Sequence, residues 1–79
     1  MKTKIVNLKG ELYDGVASLV NVKTASGEIT ILDNHQPMIS ILSENARIYL
    51  DDNTGRKEFL VKGGFLHMNG NNELTLLAD

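Results

Sequence analysis

The sequence predicts an all-β fold, built as a sandwich or a small barrel of short strands. Runs rich in Val, Ile, Thr, Leu and aromatic residues alternate with turn-forming residues at intervals too short for helices. Within the runs, Ile29-Thr30-Ile31 and Leu74-Thr75-Leu76 alternate with the period of a strand that has one buried face. Many short strands at this spacing are typical of sandwiches and barrels.

Eight strand candidates follow one another along the chain. They cover residues 3–8, 16–23, 28–32, 38–42, 47–50, 57–61, 65–68 and 74–77. Turn chemistry separates them, as at Gly10-Glu11, Asp14-Gly15 and Gly70-Asn71-Asn72. The longest turn segment contains the only proline, Pro37, after Asp33, Asn34 and His35.

Length and charge exclude several classes of protein. Seventy-nine residues predict a single domain spanning residues 1–79. Eight Lys and Arg against ten Asp and Glu do not give the cationic cluster that nucleic-acid binding needs. Without cysteine there is no disulfide scaffold, thiolate metal site or cysteine nucleophile. The longest apolar runs are three residues, which predicts a soluble, cytoplasmic chain without a membrane helix or signal peptide.

No group of residues forms a recognisable catalytic, cofactor or metal motif. His35 and His67 lie 32 positions apart, so neither belongs to a ligand-spaced pair. The segment from Asp51 to Gly55 lacks the closing glutamate of a calcium loop and suits a hairpin turn. Gly63-Gly64 lacks the residues of a phosphate-binding loop and suits a bulge or a close backbone crossing. We therefore predict no catalytic, cofactor-binding or metal-ligating residues.

Apolar residues exceed what one buried face per strand requires. Adjacent strand residues point to opposite faces, so in each apolar pair one side chain points outward unless a bulge or strand end intervenes. The surplus residues either cover the rims of the sandwich or form an exposed patch that docks onto another protein. The pairs and the triple are Leu19-Val20, Ile31-Leu32, Ile41-Leu42, Phe59-Leu60-Val61, Phe65-Leu66 and Leu76-Leu77.

Three blocks of sequence resemble one protein family in order and spacing. The first covers residues 26–42 and includes Gly27-Glu28-Ile29, His35 and Pro37. The second covers residues 62–69 and begins Lys62-Gly63-Gly64-Phe65-Leu66, and the third covers residues 72–79 and ends Leu76-Leu77-Ala78-Asp79. Together they closely resemble the N-terminal domain of the epsilon subunit of F-type ATP synthases, called delta in mitochondria. The resemblance covers nearly the whole chain, although Asp33 stands where the family usually has proline.

The resemblance implies a fold, a role and a set of partners. The family fold is a flattened antiparallel β-sandwich of about ten short strands in two sheets. Its role is that of a non-catalytic central-stalk, or rotor, subunit that joins the gamma subunit to the membrane c-ring and couples ion translocation to ATP synthesis. The resemblance further implies a peripheral position at the cytoplasmic face of the membrane, with membrane contact only through the c-ring. It favours the docking explanation of the surplus apolar residues.

Six residues carry over from the family by position. Glu28 matches a glutamate that faces the c-ring loops, while His35 and Pro37 match the loop near the gamma and c-ring contacts. The alternatives are that Glu28 is a solvated hairpin residue and that His35 stabilises a turn, and the sequence does not choose between the two explanations of His35. Gly27, Gly63 and Gly64 match structural glycines. The family continues past Leu-Ala-Asp into a helical hairpin that inhibits ATP hydrolysis and in some members binds ATP. This sequence ends at Asp79, so we expect the hairpin to be absent and carry over neither property.

Three alternatives remain open from the sequence. A stand-alone ligand-binding sandwich would need an aromatic-lined pocket, for which only Tyr13, Tyr49, Phe59 and Phe65 are available. A small cupin-like metal enzyme would need more histidines than two. A rotor subunit without any inhibitory function keeps the same fold and changes only its task.

Overall fold

The computed structural model describes residues 1–79 and contains only strands and their connections. The eight strands are β1 (Lys2–Asn7), β2 (Gly10–Thr24), β3 (Gly27–Leu32), β4 (Met38–Ile41), β5 (Ala46–Asp52), β6 (Gly55–Val61), β7 (Gly64–Met68) and β8 (Glu73–Ala78). Each of the eight predicted runs overlaps one of them, and only the runs 3–8 and 38–42 extend one residue past a strand end, so the all-β prediction is confirmed.

Two predicted turns are wrong. The turn expected at Gly10-Glu11 lies at residues 8–9, because Gly10 already pairs with Asn7 at the start of β2. There is no turn at Asp14-Gly15, because the 15-residue strand β2 continues through it. Asp14 pairs with Lys4 and Gly15 with Thr3, so β1 holds this segment extended. Gly15 does not form a turn here; its missing side chain leaves space for the ring of Tyr13. A Cβ at Gly15 would lie 2.7 Å from the hydroxyl oxygen of Tyr13.

The strands form two sheets that share β2. The first sheet has the order β4-β7-β8-β1-β2, and the second has β3-β2-β5-β6. Strand β2 crosses from one sheet to the other next to a bulge between Ala17 and Leu19. Because one long strand serves both sheets, eight strands build a sandwich for which about ten were expected. All pairs are antiparallel except β1 with β8.

The connections gather at two ends of the sandwich. The turn end contains residues 8–9, 25–26, 43–45 and 62–63. The Asn45 N–H donates to the Lys62 C=O at 3.1 Å and so joins two of these segments. The loop end contains residues 33–37, 53–54 and 69–72. At the turn end, Thr24 on β2 and Leu42, the residue after β4, also form an isolated antiparallel bridge, which links the two sheets.

The core lies between the inner faces of the two sheets. It is one cluster of 16 buried apolar residues, contributed by both sheets. The alternating burial of β5 and β8 shows how period-two patterning supplies it. Its largest fully buried apolar side chains are those of Ile5, Ile31, Ile48, Leu50, Leu66, Met68, Leu74 and Leu76.

Candidate partner-binding surfaces

An apolar stripe crosses the outer face of the first sheet near the turn end. We define it as Ile41, Phe65, Leu77 and Val6, which lie side by side on β4, β7, β8 and β1. Ile41 is 66% exposed, Phe65 45% and Leu77 40%. Four adjacent strands make the stripe about 14 Å long. It borders a hollow of about 260 Å³ that Leu8 also lines.

Each outward residue of the stripe has a buried neighbour in sequence. Leu42, Leu66 and Leu76 enter the core, while Ile41, Phe65 and Leu77 point to solvent. The apolar pairs of the sequence therefore supply both faces of the first sheet. Exposed Ile39 extends the apolar surface along β4 toward the loop end. A continuous apolar surface of this kind marks a protein-binding site.

The outer face of the second sheet is mostly polar. Its central row carries Thr30, Asn21, Tyr49 and Glu58 on four neighbouring strands. Ion pairs join Arg47 to Glu58 (3.4 Å) and Arg56 to Asp51 (2.8 Å). Leu60, on the edge strand β6, is exposed here without an apolar row beside it. The outer face of the first sheet thus suits an apolar partner surface, and that of the second sheet suits a polar or charged one.

Glu28 lies on the second sheet close to the turn end. It is the second residue of β3 and pairs with Lys23 on β2, next to the 25–26 turn. Its carboxylate is exposed and accepts a hydrogen bond of 3.2 Å from the side-chain amide of Asn21. The group is therefore oriented by a neighbour and free to meet a charged or polar partner.

His35 and Pro37 lie at the loop end, in the connection between β3 and β4. The His35 N–H donates to the carbonyl of Leu32 at 3.1 Å, and Nδ1 of its ring lies 2.8 Å from the carbonyl oxygen of Gln36. Because Glu28 lies near the start of β3 and His35 follows its end, about 13 Å of strand separates Glu28 from Leu32 alone. The structure therefore does not bring Glu28 together with His35 and Pro37.

The loop that carries His35 is anchored by residues that the sequence analysis did not select. The Asn34 N–H donates to Oδ1 of Asn72 at 2.7 Å, and Nδ2 of Asn72 donates to Oδ1 of Asp33 at 3.2 Å. Asp33 also accepts from the amino group of Met1. That bond, and then the bond from Asn72, hold the pKa of Asp33 below its usual range. The only sequence signal was the departure at Asp33 from the family pattern.

The three selected glycines differ in what the backbone demands of them. Gly64 has φ 128°, and a Cβ there would lie 1.9 Å from the carbonyl oxygen of Leu77. Gly27 has φ 120° at the start of β3, with open space around it. A Cβ at Gly63 would meet only a side-chain oxygen of Asp79 at 3.9 Å. Space therefore excludes a side chain at Gly64 alone.

The surface hollows offer little to a small ligand. Their volumes lie between about 210 and 330 Å³, and none has more than one aromatic side chain in its lining. Tyr13 instead packs edge-on against Phe59, with ring centroids 6.1 Å apart. The ligand-binding alternative is therefore unsupported. No three acidic or histidine side chains are grouped as a metal site, and no helix is suited to crossing a membrane.

The fold and its surfaces define a class of protein, a small β-sandwich with an exposed apolar stripe on the outer face of one sheet. The family model for the ATP synthase delta/epsilon chain β-sandwich domain matches residues 1–79, and the chain belongs to this family. It is 36% identical over 77 residues to the ATP synthase epsilon chain of Corynebacterium jeikeium, covering 96% of this chain and 62% of that one. It is 39% identical over 80 residues to that of Levilactobacillus brevis, covering 100% and 55%.

Solved structures show the same fold at low sequence identity. A chain in the OSCP, F1 and c-ring of the Euglena gracilis mitochondrial ATP synthase superposes with a TM-score of 0.90 at 15% identity, over 99% of this chain and 49% of that one. A chain in the central stalk and c-ring of the Tetrahymena thermophila enzyme gives 0.80 at 16% identity, over 99% and 62%. The chain therefore spans about half to three-fifths of the relatives it matches.

Proposed function

We propose that this chain is a non-catalytic rotor subunit of an F-type ATP synthase, joining the gamma subunit to the c-ring. The observation that carries the proposal is the apolar stripe on the outer face of the first sheet, in a chain of the delta/epsilon family. A rotor joint transmits torque through rigid contacts, and a close-packed sandwich with an exposed apolar surface suits that task. The relatives named epsilon chain support the same assignment.

The two partners are assigned to different parts of the surface. The gamma subunit covers the apolar stripe and follows β4 through Ile39 to Pro37 and His35. The c-ring loops meet Glu28 at the turn end, where the carboxylate pairs with their polar or cationic groups. In support, Glu28 lies on the second sheet and the stripe on the outer face of the first sheet, and a joint between two bodies needs contacts that are apart.

The same proposal assigns the chain a peripheral position at the cytoplasmic face of the membrane. Its membrane contact is indirect, because the c-ring supplies the membrane-spanning part. This position is consistent with solved structures in which chains of this fold occur together with a c-ring.

Co-purification tests the proposal. The chain is co-expressed with its cognate gamma subunit, and the mixture is separated by size exclusion with mass determination. We expect a stoichiometric complex that survives the column. A chain that is folded by circular dichroism yet elutes alone contradicts the assignment of gamma as partner.

A further inference from the structure

The loop of residues 33–37 has few main-chain bonds of its own. It belongs to no strand, and within it only the His35 N–H donates to a nearby carbonyl, that of Leu32. Loops of this kind are mobile unless contacts outside them fix their position. If His35 and Pro37 form part of a partner contact, some other part of the molecule must hold them in place.

The turn of residues 69–72 supplies that support. The side chain of Asn72 bonds two successive loop residues, accepting from the Asn34 N–H and donating to Asp33. Two positions earlier in the same turn, a Cβ on Gly70 would lie 3.9 Å from Cγ of Pro37, so the proline ring lies beside the turn. The turn therefore bonds the loop at its beginning and lies close to it at its end.

Asn72 is itself firmly placed. Its carbonyl accepts a hydrogen bond of 3.1 Å from the Lys2 N–H, which ties its backbone to β1. Its φ of 59° lies in the left-handed region, which asparagine tolerates better than most residues. An amide side chain also offers a donor and an acceptor together, which the two bonds require.

We infer that Asn72 is the positioning residue for the partner contact made by His35 and Pro37. The inference rests on the proposed function, in which that contact is with the gamma subunit. Asn72 does not itself need to touch gamma. Its amide holds the start of the loop, and its turn supports the proline, so that His35 is presented in one geometry before binding. Such preorganisation removes an ordering cost from association.

The test compares Asn72→Gly with Asn45→Gly for binding of purified gamma subunit. Asn45 is a matched control, because it also has a positive φ (52°) in a turn and its side chain makes no hydrogen bond. We expect Asn72→Gly to weaken gamma binding about tenfold and Asn45→Gly to leave it within about twofold. Equal affinities for the two variants overturn the inference.

Exchanging the two side chains, as Asn72→Asp with Asp33→Asn, conserves the net charge. It tests whether the bond between the two residues, and not a general loss of stability, controls gamma binding. Asn72→Asp keeps the acceptor for the Asn34 N–H but sets a carboxylate against that of Asp33, so we expect weaker gamma binding. Adding Asp33→Asn restores a donor and acceptor pair with its direction reversed, and we expect it to recover most of the lost affinity. No recovery in the folded double variant counts against the inference.

Two further measurements link the effect to the loop. His35→Ala and Asn72→Gly should be non-additive in gamma affinity, because the second acts through the first. Hydrogen exchange of the Asn34 amide should be about tenfold faster in Asn72→Gly than in the wild type. If the wild type does not bind gamma, the proposed function fails. Hydrogen exchange of the Asn34 amide then tests whether Asn72 positions the loop, and an unchanged exchange rate in Asn72→Gly overturns the inference.

Discussion

The hydroxyl of Tyr13 donates a hydrogen bond of 2.7 Å to Oδ2 of Asp52, 39 positions away in the sequence. The bond joins the first half of β2 to the end of β5, beside the point where β2 crosses between the two sheets. Asp52 also accepts from the Thr54 N–H and hydroxyl, at 2.8 and 2.7 Å. The two sheets are thus linked near the loop end by a polar contact as well as by the core.

Replacing Tyr13 by phenylalanine should cost about 1 kcal/mol of unfolding free energy at neutral pH, because one partly buried hydrogen bond is lost. Burial, and then the bond to Asp52, raise the pKa of Tyr13 from 10.0 to about 12. Because the pKa of Tyr13 is higher in the folded chain than in the unfolded chain, the bond stabilises the fold fully at pH values below the unfolded pKa. That stabilisation is lost as the pH rises through the folded pKa. The deficit of Tyr13→Phe should therefore shrink between about pH 10 and pH 12.

Urea unfolding of wild type and variant at a series of pH values measures this. Tyr49→Phe is the matched control, because the Tyr49 hydroxyl is exposed and only accepts a 3.3 Å bond from Arg47. A deficit for Tyr13→Phe that stays constant up to pH 12 contradicts the prediction.

Gly64→Ala should destabilise the chain by more than about 3 kcal/mol, because its methyl group would overlap the backbone at Leu77 and its φ is unfavourable. Gly63→Ala is the neighbouring control. It has ordinary contact distances, and we expect a change within about 0.5 kcal/mol. Thermal unfolding followed by circular dichroism compares them. Similar midpoints for the two variants would show that the backbone yields at Gly64.

The fold was largely predictable because its signals are local. Strand alternation and turn residues placed all eight strands, including the short β4 (Met38–Ile41). The error at Asp14-Gly15 has a non-local cause, since the pairing with β1 keeps the segment extended. The parallel pairing of β1 with β8 joins the two ends of the chain, and no local pattern indicates it.

The surfaces were predictable only in part. Apolar pairs such as Phe65-Leu66 indicated surplus outward residues, and the register shows that three of these form one stripe with Val6. The bond between Asp33 and Asn72 spans 39 positions, so neither residue carries a local signal for it. The roles of Glu28, His35 and Pro37 remain predictions that binding experiments must decide.

Glu28→Lys should weaken binding to membranes that contain the c-ring by about tenfold at low salt, because it reverses a charge at the proposed contact. The fold should be unaffected, since Glu28 is exposed and accepts only the bond from Asn21. Asp14→Lys changes the net charge equally on the outer face of the first sheet, away from the turn end, and serves as the control. Co-sedimentation with the membranes measures both, and equal binding of Glu28→Lys and wild type contradicts the c-ring assignment.

Ile41→Thr tests whether the apolar stripe is the surface that meets the gamma subunit. Ile41 is 66% exposed and Leu60, on the other sheet, is 69% exposed, so threonine at either position should change stability by less than about 0.5 kcal/mol. Threonine also suits a strand, which keeps the backbone intact. A large apolar side chain that becomes buried in an interface contributes more than about 1 kcal/mol, so we expect Ile41→Thr to weaken gamma binding about tenfold. Leu60→Thr should bind gamma as the wild type does. Isothermal titration decides between the two faces, and a larger loss for Leu60→Thr would move the gamma contact to the second sheet.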